Sequence, residues 1–314
     1  MEHTKFNRIF LALVFGGLFL SGFLALSRFG GADNDLILRH QIDKIDRLVT
    51  SGDQLDFAVL GDSSAGNGIA ADVLERISGR RVENFALTGS FGLAGSLHLL
   101  RQLHERHGVN HFFLIHSPDI WGRILQKEAI FKLMPLESLA EYAGLIDGNP
   151  NWEFFKYLLN PQRLADAARY LYGGVVRSVK GGKPHSRIDG DFLAQSEETF
   201  ANGKKHLESS MEWRTLSLHK LHELHLLQRY CVENKLKCVL MSGPVHESAY
   251  IDLQERMARA FGVLDLSNEY FRIDMSVHAF PDAWMGDTVD HVDVNQKPVT
   301  TRVYWGSMSR YLGN

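Results

Sequence analysis

Short apolar runs that end in glycine- or serine-bearing turns alternate along this chain with longer stretches in which apolar residues recur every three or four positions. Runs of the first kind have the length of buried strands, and stretches of the second kind bury one face of a helix. Phe57–Leu60 reads as a strand stopped by Gly61-Asp62-Ser63, Arg81–Leu87 as a second ending in Thr88-Gly89-Ser90, and Val109–His116 as a third ending in Ser117-Pro118-Asp119. Leu236–Ser242 reads as a fourth, ending at Gly243-Pro244, and Val263–Leu266 as a short fifth. Helical spacing covers Asn34–Ser51, Ala70–Ile77, Gly92–His107, Met211–Val232, Tyr250–Phe261 and a final Asn295–Leu312 with Pro298 in its first turn. Strand and helix alternating at this spacing predict right-handed crossovers, hence an α/β fold: a three-layer α/β/α sandwich around a mainly parallel five-stranded sheet. The turns at Ser63, Gly89 and Ser117 then share the rim at the carboxyl ends of the strands, where open α/β sheets bind ligands.

Two regions break this rhythm. Ile9–Ser27 is nineteen residues without a charge, preceded by Lys5 and Arg8 and followed by Arg28. It exceeds the apolar core usual in a signal peptide and reads as a transmembrane anchor, although Ala25-Leu26-Ser27 also fits a weak cleavage site. Basic residues before the span put residues 1–8 in the cytoplasm and everything after the span outside it, at the cytoplasmic membrane of a cell with a periplasmic or other extracytoplasmic space. Residues 28–53 form a linker and lead-in helix, and 54–314 the main domain. From Trp121 to about Lys205 aromatic helical stretches and the Gly/Lys/Pro-rich GGKPHSRIDGD depart from the βα pattern over a length too great for a connection. This is expected to be an insertion or lid at about 121–205.

The composition narrows the chemistry. The 34 basic and 37 acidic residues are well mixed and leave a formal charge of -3, so no basic surface for nucleic acid is expected. Two cysteines, Cys231 and Cys238, are too few for a structural zinc site. Seven residues apart across a tight turn, they suit either a disulfide or two separately buried thiols. His219, His222 and His225 recur on one helical stretch, but no His-Glu-x-x-His accompanies them, and an exposed helix face is the expected use.

What remains is a serine at a strand end. A serine nucleophile needs a base to take its proton and a third group to orient that base. Met285–Val294, MGDTVDHVDV, places His291 in a loop before the last helix, with Asp287 four residues upstream as the favoured orienting acid and Asp290, the adjacent residue, as second candidate. Taken singly, Gly-Asp-Ser-Ser and Asp-Thr-Val-Asp also fit helix-capping turns. Taken together, Gly61-Asp62-Ser63 after a strand, Gly89 closing Asn84-Phe85-Ala86-Leu87-Thr88-Gly89, and an Asp/His pair before a final helix resemble the SGNH/GDSL hydrolase superfamily over about residues 54–120 and 236–312.

That resemblance implies a flavodoxin-like sandwich in which Ser63 is the nucleophile, His291 the base and Asp287 its acid, with the N–H groups of Ser63 and Gly89 as oxyanion donors and neither metal nor cofactor. The superfamily's third block normally supplies an Asn donor. Here the third rim reads His116-Ser117-Pro118-Asp119, so Asn67 or Ser117 would have to substitute. Within the superfamily, an anchored extracytoplasmic member with this third block is similar to polysaccharide O-acetyltransferases and esterases, which work beside a membrane-bound O-acyltransferase. The implied partners are an acylated glycan or polysaccharide, such an acyltransferase, and the inner membrane. Trp121, Trp152 and Tyr157 offer stacking faces for sugars or, alternatively, core packing. A catalytically silent scaffold or glycan-binding subunit of an envelope assembly complex, and an esterase acting on lipid, are the competing expectations.

Overall fold

The computed structural model of the 314-residue chain describes residues 36–123, 126–133, 145, 149–158, 218–261, 266–274, 276–286 and 290–313. Helix α1 (Leu36–Ser51) leads into strand β1 (Phe57–Gly61), followed by α2 (Ser63–Gly68), α3 (Ala71–Ser78), β2 (Val82–Asn84), α4 (Gly92–His107) and β3 (His111–His116). Beyond these come α5 (Lys127–Leu133), α6 (Pro150–Leu158), α7 (Leu218–Glu233), β4 (Lys237–Ser242), β5 (Val245–His246), α8 (Tyr250–Phe261), β6 (Phe271–Asp274), β7 (Ala279–Phe280) and α9 (Lys297–Met308).

Five strands form one parallel sheet in the order β2-β1-β3-β4-β6, and β5 with β7 forms a small second one. β1 and β3 are buried on both faces, which is why they are written as FAVLG and HFFLIH without regular polar alternation. Phe57, Val59, Phe113, Ile115, Val239 and Met241 cluster with Ile69 and Leu74 and with Tyr304 and Met308 of α9. The two-residue period of a strand turns Ala58, Leu60, Phe112, Leu114 and Leu240, all buried, to the opposite face.

Among the described residues the fifth strand of the sheet is Phe271–Asp274, and most of the expected Val263–Leu266 strand cannot be compared with it. Residues 262–265 lie outside the described residues, and Leu266 is in a loop. Among the described residues β6 sits at the sheet edge with β4 as its only strand neighbour, so it carries polar positions: Arg272 is exposed, and buried Asp274 is held by Arg310, Tyr311 and the Ser276 N–H. Cys231 and Cys238 are joined in a disulfide with Cα atoms 6.3 Å apart, tying the last turn of α7 to β4.

Internal contacts divide the chain into two compact units, Met1–Arg39 with Phe131–Ser186 and His40–Ile130 with Arg187–Asn314. In the first, Phe131, Phe154 and Tyr157 pack ring against ring, while Trp152 stacks on Phe155 at 5.6 Å with both rings exposed. The second contains the sheet. Trp121 is buried there, so of the three aromatic residues considered as sugar platforms only Trp152 faces solvent. Most of the expected insertion, at 124–125, 134–144, 146–148 and 159–205, lies outside the described residues, as does the apolar segment 9–27. Among the described residues no helix is long and apolar enough to cross a membrane.

Candidate active site

The strand register assembles the site. Gly61 of β1 pairs with Ile115 of β3, and the Leu87 N–H donates to the Gly61 carbonyl, continuing the β1–β2 ladder past the end of β2. Two residues beyond these three positions stand Ser63, Ser117 and Gly89. One step further across the sheet, His116 pairs with Ser242, so Gly243 is opposite Ser117. Four neighbouring strand ends thus deliver Gly89, Ser63, Ser117 and Gly243 to one rim.

The turn that carries Ser63 allows little variation. A Cβ on Gly61 would lie 1.8 Å from the Ile115 carbonyl oxygen, so only glycine lets β1 approach β3 this closely. Asp62 then caps α2: its Oδ1 accepts from the Ser64 N–H at 3.0 Å and from Ser64 Oγ at 2.6 Å. Its Oδ2 accepts from the Ser117 N–H and from Ser117 Oγ, both at 2.9 Å, and His116 Nδ1 is 3.6 Å away. Burial pushes the Asp62 carboxyl up, but His116, Ser64 and Ser117 together outweigh burial and hold it well below the usual carboxylate range. His116 is in turn fixed through Nε2 by Ser96 Oγ at 2.9 Å.

α2 is a helix of poor helix formers, SSAGNG, and its far end is held by side chains from other elements. Buried Asn84 donates to the Ala65 and Ile69 carbonyls, and Thr300 Oγ1 of α9 donates to the Gly68 carbonyl. The sheet on one side and the last helix on the other therefore fix the orientation of Ser63.

His291 reaches the same point from a distant part of the chain. Its Nε2 is 2.8 Å from Ser63 Oγ, with both residues half-buried. The loop bearing it is pinched at its base, where Gly286 N–H donates to the His291 carbonyl and Asp293 N–H to the Trp284 carbonyl. Met285 and Val292, bridged to each other, anchor that base in the core. Asp287 lies outside the described residues. Asp290 is buried beside His291, and its charge is felt across the rim at Asp119 and Arg123.

Among the described residues, neither the Ser63 nor the Gly89 N–H is taken by an acceptor, and both remain available to an oxyanion. Of the two substitute donors, Ser117 is engaged elsewhere and Asn67 in part. Asn67 donates from Nδ2 to the Ser63 carbonyl at 2.8 Å, and Ser117 spends its N–H and its hydroxyl on carboxylates.

Sequence reasoning missed the pair that crowns this rim. Asp119 accepts from Arg123 Nη2 and competes with Asp62 for the single Ser117 hydroxyl proton, and Arg123 Nη1 lies 1.9 Å from where a Cβ on Gly89 would be. Burial and then the Asp290 charge push the Asp119 carboxyl above its ordinary value, against the pull of Arg123 and Ser117. Burial would lower the Arg123 guanidinium, but Asp119 more than compensates and raises it. The only signal in the sequence is the Asp-x-x-x-Arg spacing in PDIWGR, which on its own reads as an i,i+4 surface ion pair.

The α7 histidines belong to a different arrangement. His219 and His225 are exposed, whereas Lys220 and Glu223 form a buried ion pair at 2.8 Å, and Glu223 accepts from the Leu93 N–H at the start of α4. Among the described residues no three His, Cys, Asp or Glu side chains converge to hold a metal ion. No family model, curated protein or solved structure matches the chain.

Proposed function

We propose that the chain is a serine-dependent O-acyl transferase or esterase of the SGNH type, acting on an acylated extracytoplasmic polysaccharide and most simply on its acetyl groups. The observation that carries this reading is the 2.8 Å contact between Ser63 Oγ and His291 Nε2, made by residues 228 positions apart. A nucleophile and a base within hydrogen-bond reach at the carboxyl rim of a parallel sheet are the parts acyl transfer requires.

In the reaction, Ser63 Oγ attacks the acyl carbon while its proton passes to His291 Nε2. The carbonyl electron pair moves onto oxygen, which the Ser63 and Gly89 N–H groups stabilise. Collapse expels the leaving alkoxide, which takes the proton from His291. A sugar hydroxyl, deprotonated by His291, then attacks the acyl-enzyme, the Ser63 Oγ–acyl bond breaks and Ser63 Oγ takes the proton back from His291; water in place of the sugar gives hydrolysis. Asp287, with Asp290 as the second candidate, would orient the ring from Nδ1. The Cys231–Cys238 disulfide and the charge-free run Ile9–Ser27 support an anchored domain in an oxidising compartment outside the cytoplasm, within reach of a membrane-bound acyl donor.

A catalytically silent, glycan-binding scaffold is the second reading, favoured by the engagement of Asn67 and Ser117 away from the oxyanion position. Pre-steady-state mixing with a chromogenic acetyl ester separates the two. The expected result is a burst of leaving group equal to the enzyme concentration, followed by turnover that an added oligosaccharide accelerates while it becomes O-acetylated. No burst, with the same slow turnover in wild type and in Ser63→Ala, would favour the scaffold.

A further inference from the structure

The rim has one strong hydrogen-bond donor that the serine-histidine chemistry above leaves unused. Arg123 follows the third strand end by a single 3₁₀ turn, Pro118–Trp121, and folds back over the neighbouring strand end. Its Nη1 would be 1.9 Å, and its Cζ 3.0 Å, from a Cβ on Gly89, so the guanidinium lies against the backbone of the residue proposed above as an oxyanion donor. Nη2 is held by Asp119, which lies beside Ser117 at the neighbouring strand end. Among the described residues Asp119 is the only acceptor for the guanidinium, which leaves Nη1 to a ligand.

The side chain is 40% exposed, so it opens to substrate while one edge remains fixed. The carboxylates of Asp62 and Asp290, the chain neighbours of Ser63 and His291, also favour its charged form, after Asp119. With Ser117 donating to carboxylates and one Asn67 N–H spent on the Ser63 carbonyl, the geometry points to Arg123 as the third oxyanion donor, its guanidinium closing the hole that the Ser63 and Gly89 N–H groups begin.

This rests on Ser63 being the nucleophile. In the addition step the carbonyl electron pair becomes the oxyanion lone pair, and Arg123 donates hydrogen bonds to it without giving up a proton. When the intermediate collapses, the pair returns to the C–O bond and the leaving group takes its proton from His291. A fixed cation beside the oxyanion is worth more here than in water, because Asp119 has already oriented it and no solvent must reorganise. A side chain at position 89 would meet this guanidinium and displace it, a movement that the flexible arginine side chain allows.

The test compares wild type, Arg123→Ala, Arg123→Lys and Ser63→Ala on an uncharged chromogenic acetyl ester, with thermal melts as the folding control. Arg123→Ala is expected to lower kcat by about 10²- to 10³-fold with little change in KM, the loss typical of one oxyanion donor. Arg123→Lys should fall between, and added guanidinium ion should restore part of the Arg123→Ala activity and none of the Ser63→Ala activity. Ser63-dependent turnover that survives Arg123→Ala overturns this assignment alone. A loss seen only in KM, and only for carboxylate-bearing esters, would instead make Arg123 a substrate-anion contact and also overturns it. Turnover that does not depend on Ser63 overturns the acyl-transfer reading and this assignment together.

Discussion

Ser63→Ala and His291→Ala are each expected to lower kcat on an acetyl ester by about 10⁴- to 10⁶-fold, and the double variant should lose no more than either single one. The non-additivity follows from the geometry: one proton moves along one 2.8 Å line, and removing either end removes the whole step. Both residues are half-buried at a rim rather than in the core, so the melting temperatures should stay close to wild type. The orienting acid can be read in the same assay. If Asp287 fixes the ring, Asp287→Asn should cost about 10⁴-fold, as a histidine held in the wrong tautomer does, while Asp290→Asn should cost much less. Equal, additive losses of a few-fold at Ser63 and His291 would mean that the two side chains touch without reacting.

Asp62→Asn is expected to combine a large stability loss with a large activity loss. The carboxylate accepts four hydrogen bonds, two from Ser64 and two from Ser117, and is fully enclosed. An amide replaces one oxygen by a donor, which then faces a Ser64 pair or a Ser117 pair that also donates. Breaking a buried charged arrangement at one partner costs about 3–5 kcal/mol, which denaturant unfolding would register as a shift in midpoint with unchanged slope. Activity should fall as well, because the same bonds fix the first turn of α2 that carries Ser63. The pH dependence has a definite sign. Asp62 is depressed in the fold, so its contribution is complete above the unfolded-state value of about 3.9 and is lost as the pH falls below it. Wild type should therefore lose stability on acidification below about pH 4 more steeply than Asp62→Asn. Parallel acid-stability curves would show that Asp62 is not the charged keystone described here.

These residues also show where the sequence was legible and where it was not. Gly92–His107 is legible to the residue because Gly108, in the left-handed region at φ 73°, stops it and the apolar spacing is regular. The βα rhythm is legible because buried parallel strands are written as apolar runs, and the order of Ser63, Gly89 and Ser117 along one rim follows from it. β6 was missed because an edge strand needs less apolar sequence, while the more apolar run before it drew attention. α2 was missed because its stability comes from Asp62, Asn84 and Thr300 rather than from its own residues. Whether Cys231 and Cys238 are joined could not be read from their spacing, since it suits a bond and two buried thiols equally. Arg123 carries no periodic signal at all; its position on Gly89 exists only once two strands and a 3₁₀ turn have been placed, and a short Asp-to-Arg spacing does not reveal it.

The most direct test of the account is covalent labelling of the whole protein with a serine-reactive fluorophosphonate, followed by peptide mapping of the adduct. One equivalent of label is expected on Ser63, lost in Ser63→Ala and slowed by orders of magnitude in His291→Ala. A chain that takes no label at Ser63, or takes it at the same rate without His291, would contradict it.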